Sequence, residues 1–115
     1  MAWVFASEKQ KALFGLLEKC GELIYGGGPK GAVANLVGEF TVRRNHHGDD
    51  QLDVGDGTCH VHIDWSQVKR VEVSDYHGEG MLSFFNEKDC LFKLYRMSGP
   101  WPKEVEAFAA VSLLD

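Results

Sequence analysis

The sequence predicts an α+β domain: an antiparallel β-sheet meander flanked by an N-terminal and a C-terminal helix. Three observations carry this expectation. Apolar residues recur at helical spacing near the start, switch to strand-like alternation from Leu36 to Met97, and return to a helical stripe after Pro102. An antiparallel sheet with a helix at each end belongs to the α+β class, with helices packed against one sheet face. At 115 residues, read as a single domain over 1–115, the chain is long enough to bury a core without disulfides or metals.

Ser7 followed by Gln10 matches a capping box, and Leu13, Leu16, Leu17, Cys20, Leu23 and Ile24 follow at helical intervals. This spacing predicts a helix from Glu8 to Ile24, ended by Gly26-Gly27-Gly28-Pro29, a turn that lacks the lysine and serine of a phosphate loop. Phe40 and Val42 then alternate with Glu39, Thr41 and Arg43. Turn signals follow at Asn45-His46-His47-Gly48, Gly55-Asp56-Gly57, Tyr76-His77-Gly78 and Asn86-Glu87-Lys88-Asp89. Between them lie runs near Leu52, Cys59 to Asp64, Val68 to Ser74, Met81 to Phe85 and Cys90 to Tyr95, giving five or six short antiparallel strands. The last two runs form the clearest hairpin, across a four-residue polar turn. Pro102 is placed to open a closing helix with Val105, Phe108 and Ala109 on its inner stripe.

Composition narrows the function. Twelve Lys and Arg against seventeen Asp and Glu give a formal charge of −5, which opposes a nucleic-acid partner because phosphate binding depends on clustered cations. No run approaches the length of a membrane span, and the first residues lack a secretory pattern, so a cytoplasmic protein without membrane insertion is expected. Cys20, Cys59 and Cys90 are an odd number without C-x-x-C spacing and read as reduced thiols. No nucleophile lies in a catalytic context: Ser66 and Ser83 lack a Gly-x-Ser-x-Gly setting, and on a strand Cys59 would point away from His60. A non-enzyme is expected.

The richest segment is Cys59-His60-Val61-His62-Ile63-Asp64-Trp65. On a strand, Cys59, Val61 and Ile63 share one face while His60, His62 and Asp64 share the other. Two imidazoles about 6.5–7 Å apart at Cα can approach one metal or one cofactor. His47, in the turn with His46, is a loop histidine that could be delivered to that face, and His77 lies in another turn. Arg43, Arg44, Lys69, Arg70, Lys93 and Arg96 are candidate partners for ligand carboxylates. The acids Asp49-Asp50 and Asp53-Asp56 read as loop residues. A cupin-type metalloenzyme would need a Glu downstream of His62, where Ser66 and Gln67 stand instead.

The block from Cys59 to Tyr95 resembles the cytosolic haem-utilisation carriers of the HutX and ChuX type, relatives of the HemS-like haem proteins. His60-Val61-His62-Ile63 is similar to the family's His-Gly-His-(Leu/Ile) element, with Val61 in place of the glycine. Trp65 to Val73 resembles the segment that follows, and Gly80-Met81-Leu82-Ser83-Phe84-Phe85-Asn86 with Leu91-Phe92-Lys93-Leu94-Tyr95 resembles the family's small-residue, Phe-Phe-Asn and Phe-Lys pattern. A weaker likeness extends to Gly38-Glu39-Phe40.

The resemblance implies a HemS/ChuX-like fold, a homodimer, and non-catalytic carriage or storage of haem (protoporphyrin IX iron). The iron would be held by His62 first and His60 second, with His47 as a possible loop partner and Arg43 or Lys93 facing the propionates. Two alternatives stay open. One is a dimeric interaction module of the same fold without haem; the other is a divalent-metal protein built on His60, His62 and Asp64.

Overall fold

The computed structural model describes residues 4–28, 31–45, 47–48, 50–55, 58–76, 79–97 and 99–114, with Tyr76 and Glu79 described by their backbone alone. The Ser7 hydroxyl accepts from the Gln10 amide at 3.1 Å and starts helix α1, Glu8–Glu18. Its buried residues Gln10, Leu13, Phe14 and Leu17 fall at i, i+3, i+4 and i+7, one stripe of a 3.6-residue helix. The helix ends well before Ile24. Gly21 adopts φ 79°, a left-handed conformation that stops the helix, and Leu23 and Ile24 belong to the strand that follows. Their spacing fits both periods, and the glycine decides between them.

Seven antiparallel strands follow among the described residues: β1 Glu22–Gly27, β2 Ala34–Arg44, β3 Asp50–Val54, β4 Cys59–His62, β5 Arg70–Tyr76, β6 Glu79–Phe85 and β7 Cys90–Arg96. Their order is β4-β3-β2-β1-β7-β6-β5. Two meanders, β1 to β4 and β5 to β7, are thus joined by antiparallel pairing of β1 with β7. Gly26 and Gly27 complete β1 rather than forming the expected turn, and Pro29 lies outside the described residues. Strand β2 is long enough to pair with β1 through its first half and with β3 through its second. The β6–β7 hairpin forms as expected, with the Asn86 side chain accepting from the Lys88 and Asp89 amides at 2.8 and 2.7 Å.

The closing helix is shorter than the sequence suggests. Pro102 precedes α2, Lys103–Glu106, as its cap rather than its first turn, and a 3-10 turn takes over at Ala107–Ala110. Val105 is fully buried, Phe108 is half-buried, and Ala109 is exposed.

The core lies between the helices and one sheet face. Phe14 meets Trp65 edge-on at 4.6 Å and Phe84 at 5.4 Å, and Phe84 stacks on Phe92 at 4.6 Å. Leu23, Leu52, Leu82 and Leu94 fill the same layer. One buried polar side chain ties the helix to the segment beyond β4. Gln10 donates through Nε2 to the carbonyls of Trp65 and Val68, both at 2.8 Å, and accepts the Ala6 amide on Oε1 at 2.8 Å. In a reciprocal capping box that side chain would accept the cap residue's own amide; here its oxygen takes the amide one residue earlier while its nitrogen reaches across the core.

Candidate functional site: a histidine face on β4

Register places the histidines. Strand β4 pairs His62 with Gln51 and His60 with Asp53, and β3 pairs those residues with Arg43 and Thr41 of β2. Period-2 alternation puts His60, His62, Gln51, Asp53, Arg43 and Thr41 on one face, while Leu52, Val54, Phe40 and Val61 turn to the core side. The two imidazoles are neighbours, with ring centroids 5.0 Å apart at 80°. Both are exposed.

Beneath them runs a polar chain. The Arg43 guanidinium donates to Asp53 Oδ2, Gln51 donates to Asp53 Oδ1 at 2.5 Å, and Asn45 donates to Gln51 Oε1 at 2.9 Å. The His47 amide in turn donates to Asn45 Oδ1 at 2.9 Å. The backbone of the loop histidine is thus hydrogen-bonded to Asn45, the end of the polar chain beneath His60 and His62. Gln51 and Asp53 are only 2% and 7% exposed. Burial alone would push the Asp53 carboxyl up, but hydrogen bonds from Arg43 and Gln51, with the charges of Arg43 and His60, hold it below its ordinary value.

Asp64 lies beyond the strand that carries the histidines. Strand β4 ends at His62, and Asp64 caps the 3-10 turn Trp65–Gln67, accepting the Ser66 amide at 3.1 Å and its hydroxyl at 2.6 Å. No group of three His, Cys, Asp or Glu among the described residues is arranged to hold a metal ion. Other expectations on acids change too: Asp50 opens β3 and pairs with Arg44 at 2.7 Å, and Asp53 lies inside that strand rather than in a loop. His46, His77, Asp49 and Asp56 lie outside the described residues.

Four of the six candidate cations are engaged by acids: Arg43 by Asp53, Arg44 by Asp50, Lys69 by Glu87 and Arg70 by Glu72. Arg96 donates to the Pro100 carbonyl at 2.6 Å. Lys93 lies apart from the histidines, in a separate cleft. Burial pushes the Cys20 thiol up despite the nearby Arg96 charge, and its sulfur hydrogen-bonds the Leu16 carbonyl, so this thiol is protected.

Two clefts adjoin His62. One, open and polar, is bounded by Gly48, Asp50, His62, Ile63 and Asp64. The other, about 200 Å³, has apolar walls of Tyr25, Val61, Ile63, Leu91 and Phe92, with His62, Asp64 and Gln67 on its rim. Tyr25 and Phe92 stack there at 5.6 Å, and burial raises the tyrosine's pKa. His60 borders neither cleft. An exposed histidine at the rim of an apolar cleft is compatible with holding a flat, largely apolar group such as haem. The cleft is smaller than the roughly 300–1,000 Å³ of sites that enclose their ligands, so it would receive one edge of such a group.

Sequence reasoning missed Gln51, Asp53 and Asn45. The sequence carries the alternation Gln51-Leu52-Asp53-Val54, but the burial of its polar residues is set by the neighbouring strands.

No family model and no curated protein sequence matches the chain. Solved structures do. A protein from Erwinia carotovora superposes with a TM-score of 0.61 at 18% identity, over 90% of this chain and 69% of that one. ChuX superposes at 0.60 with 14% identity, over 90% and 69% of the two chains. The fold is ChuX-like. A second structure of ChuX, described as a heme binding protein, gives 0.58 at 16% identity, covering 90% of this chain and 70% of that one. A protein from Agrobacterium tumefaciens gives 0.58 at 15% identity over 87% and 62%. The ChuX-like fold therefore accounts for the α+β sheet of Cys59 to Tyr95, where the sequence resemblance lies, and extends over most of the chain.

Proposed function

We propose that this protein binds haem without transforming it and carries or stores it in the cytoplasm, with His62 as the first iron ligand. The observation that carries the reading is the position of His62: exposed, on the rim of the apolar cleft, in a fold shared with a structure described as a heme binding protein. His60, whose ring lies 5.0 Å from that of His62, is the second candidate. His47, whose backbone is hydrogen-bonded to Asn45 at the end of the polar chain, is the loop candidate. Haem would supply an iron centre that accepts an imidazole, and the protein's part is to present that imidazole, shield one edge of the macrocycle and balance its propionates. Arg43 is the nearest cation on the histidine face, and its bond to Asp53 leaves other guanidinium donors for a carboxylate. Asp53, opposite His60 in register, places a buried negative charge beside that histidine.

The homodimer belongs to the same proposal. The sheet ends in two edge strands, β4 and β5, and an edge strand is the place where a second copy can add to a sheet. Hemin titration of the purified chain tests the ligand assignment: a His-ligated Soret band is expected, displaced or lost in His62→Ala, with a smaller change in His60→Ala. An unchanged spectrum in His62→Ala removes that residue from the role.

A further inference from the structure

We propose that Tyr25 is the residue that decides what the cleft beside His62 admits, and that Gly27 provides the seat its ring needs. The inference rests on the haem reading and names a specificity residue for it. Tyr25 and Gly27 stand two apart on β1 and so share one face of the sheet. Register sets Tyr25 opposite Leu94 and Gly27 opposite Phe92 of β7, both buried, so the shared face is the core face. Unlike Leu94, Tyr25 is only half-buried. Its ring forms a wall of the apolar cleft whose rim carries His62.

Two contacts hold the ring. It stacks on Phe92, with centroids 5.6 Å apart and planes at 25°. Its hydroxyl end lies over bare backbone: a Cβ at Gly27 would stand 2.7 Å from Tyr25 Cζ and 2.8 Å from Cε1, and closer still to the hydroxyl. The three atoms nearest to that Cβ all belong to Tyr25, and Gly27 is not among the glycines with a left-handed backbone. The strand conformation therefore accepts an alanine at this position, and the group that must yield first is the ring. Side chains pack densely, so a displaced ring needs room elsewhere. Phe92 blocks one flank, and the free space that the ring borders is the cleft itself. At about 200 Å³, a cleft with a phenol ring turned into it has little room for the edge of a macrocycle. The glycine keeps the cleft open, and the tyrosine sets its width.

Hemin titration of the native chain, Gly27→Ala and the double variant Gly27→Ala/Tyr25→Leu tests this, with the Tyr25 ring resonances read by NMR before hemin is added. In Gly27→Ala the ring resonances should shift as the stack on Phe92 is lost, and hemin affinity should fall about tenfold or more. In the double variant, whose leucine is too short to reach residue 27, affinity should return to within about threefold of the native chain. Native-like hemin binding by Gly27→Ala would overturn the proposal, as would a double variant no better than Gly27→Ala in folding or in affinity. A native chain that ignores hemin removes the haem reading and this inference together, whereas native binding with an indifferent Gly27→Ala removes this inference alone.

Discussion

At the residue scale the decisive group is Asp53. Its carboxyl is held below its ordinary value in the folded chain, so its contribution to stability is complete above the unfolded carboxylate pKa of about 3.9 and is lost as pH falls through the lower folded value. Denaturant midpoints measured from neutral pH down to about 3 should therefore fall less steeply for Asp53→Asn than for the native chain. Arg43→Met should cost about 1 kcal/mol at neutral pH, a modest figure because the guanidinium is half exposed, and the same denaturation experiment checks it. Gly80 offers a second residue test. A Cβ there would lie 2.7 Å from the Trp101 ring, so Gly80→Ala must displace a buried indole and should lower the melting temperature. Both effects come from neighbours brought close by folding. His60 and His62, by contrast, were legible in the sequence, because alternation along one strand fixes their shared face without reference to the rest of the chain.

At the element scale, the first strand shows where reading the chain stops. Leu23 and Ile24 satisfy helical and strand spacing alike, and only the left-handed backbone at Gly21 and the pairing with β2 and β7 decide the outcome. Local signals did suffice for the β6–β7 hairpin, whose turn is built from the Asn86 side chain, and for the start of α1 at Ser7. The polar chain from His47 through Asn45 and Gln51 to Asp53 needed the register of β3 against β2 and β4, a non-local quantity. Gln10 joins α1 to the segment after β4, and Gln10→Ala would leave two carbonyls and one amide without their partner. The expected cost is about 2–4 kcal/mol in equilibrium unfolding. Because that segment continues directly from His62, the same variant should also broaden or shift the His62 imidazole resonance.

At the scale of the whole molecule, a ChuX-like fold carries an imidazole pair on an exposed sheet face, with one of the two residues, His62, at the rim of an apolar cleft, and the binding of haem is the proposal that joins these parts. For the proposed homodimer, light scattering coupled to gel filtration should give twice the monomer mass. The most direct measurement is the absorption spectrum of the purified chain titrated with hemin, alongside His62→Ala. The account predicts saturation at one haem per chain, with a His-ligated Soret band that His62→Ala displaces or abolishes. A native chain that leaves the spectrum of free hemin unchanged would contradict it.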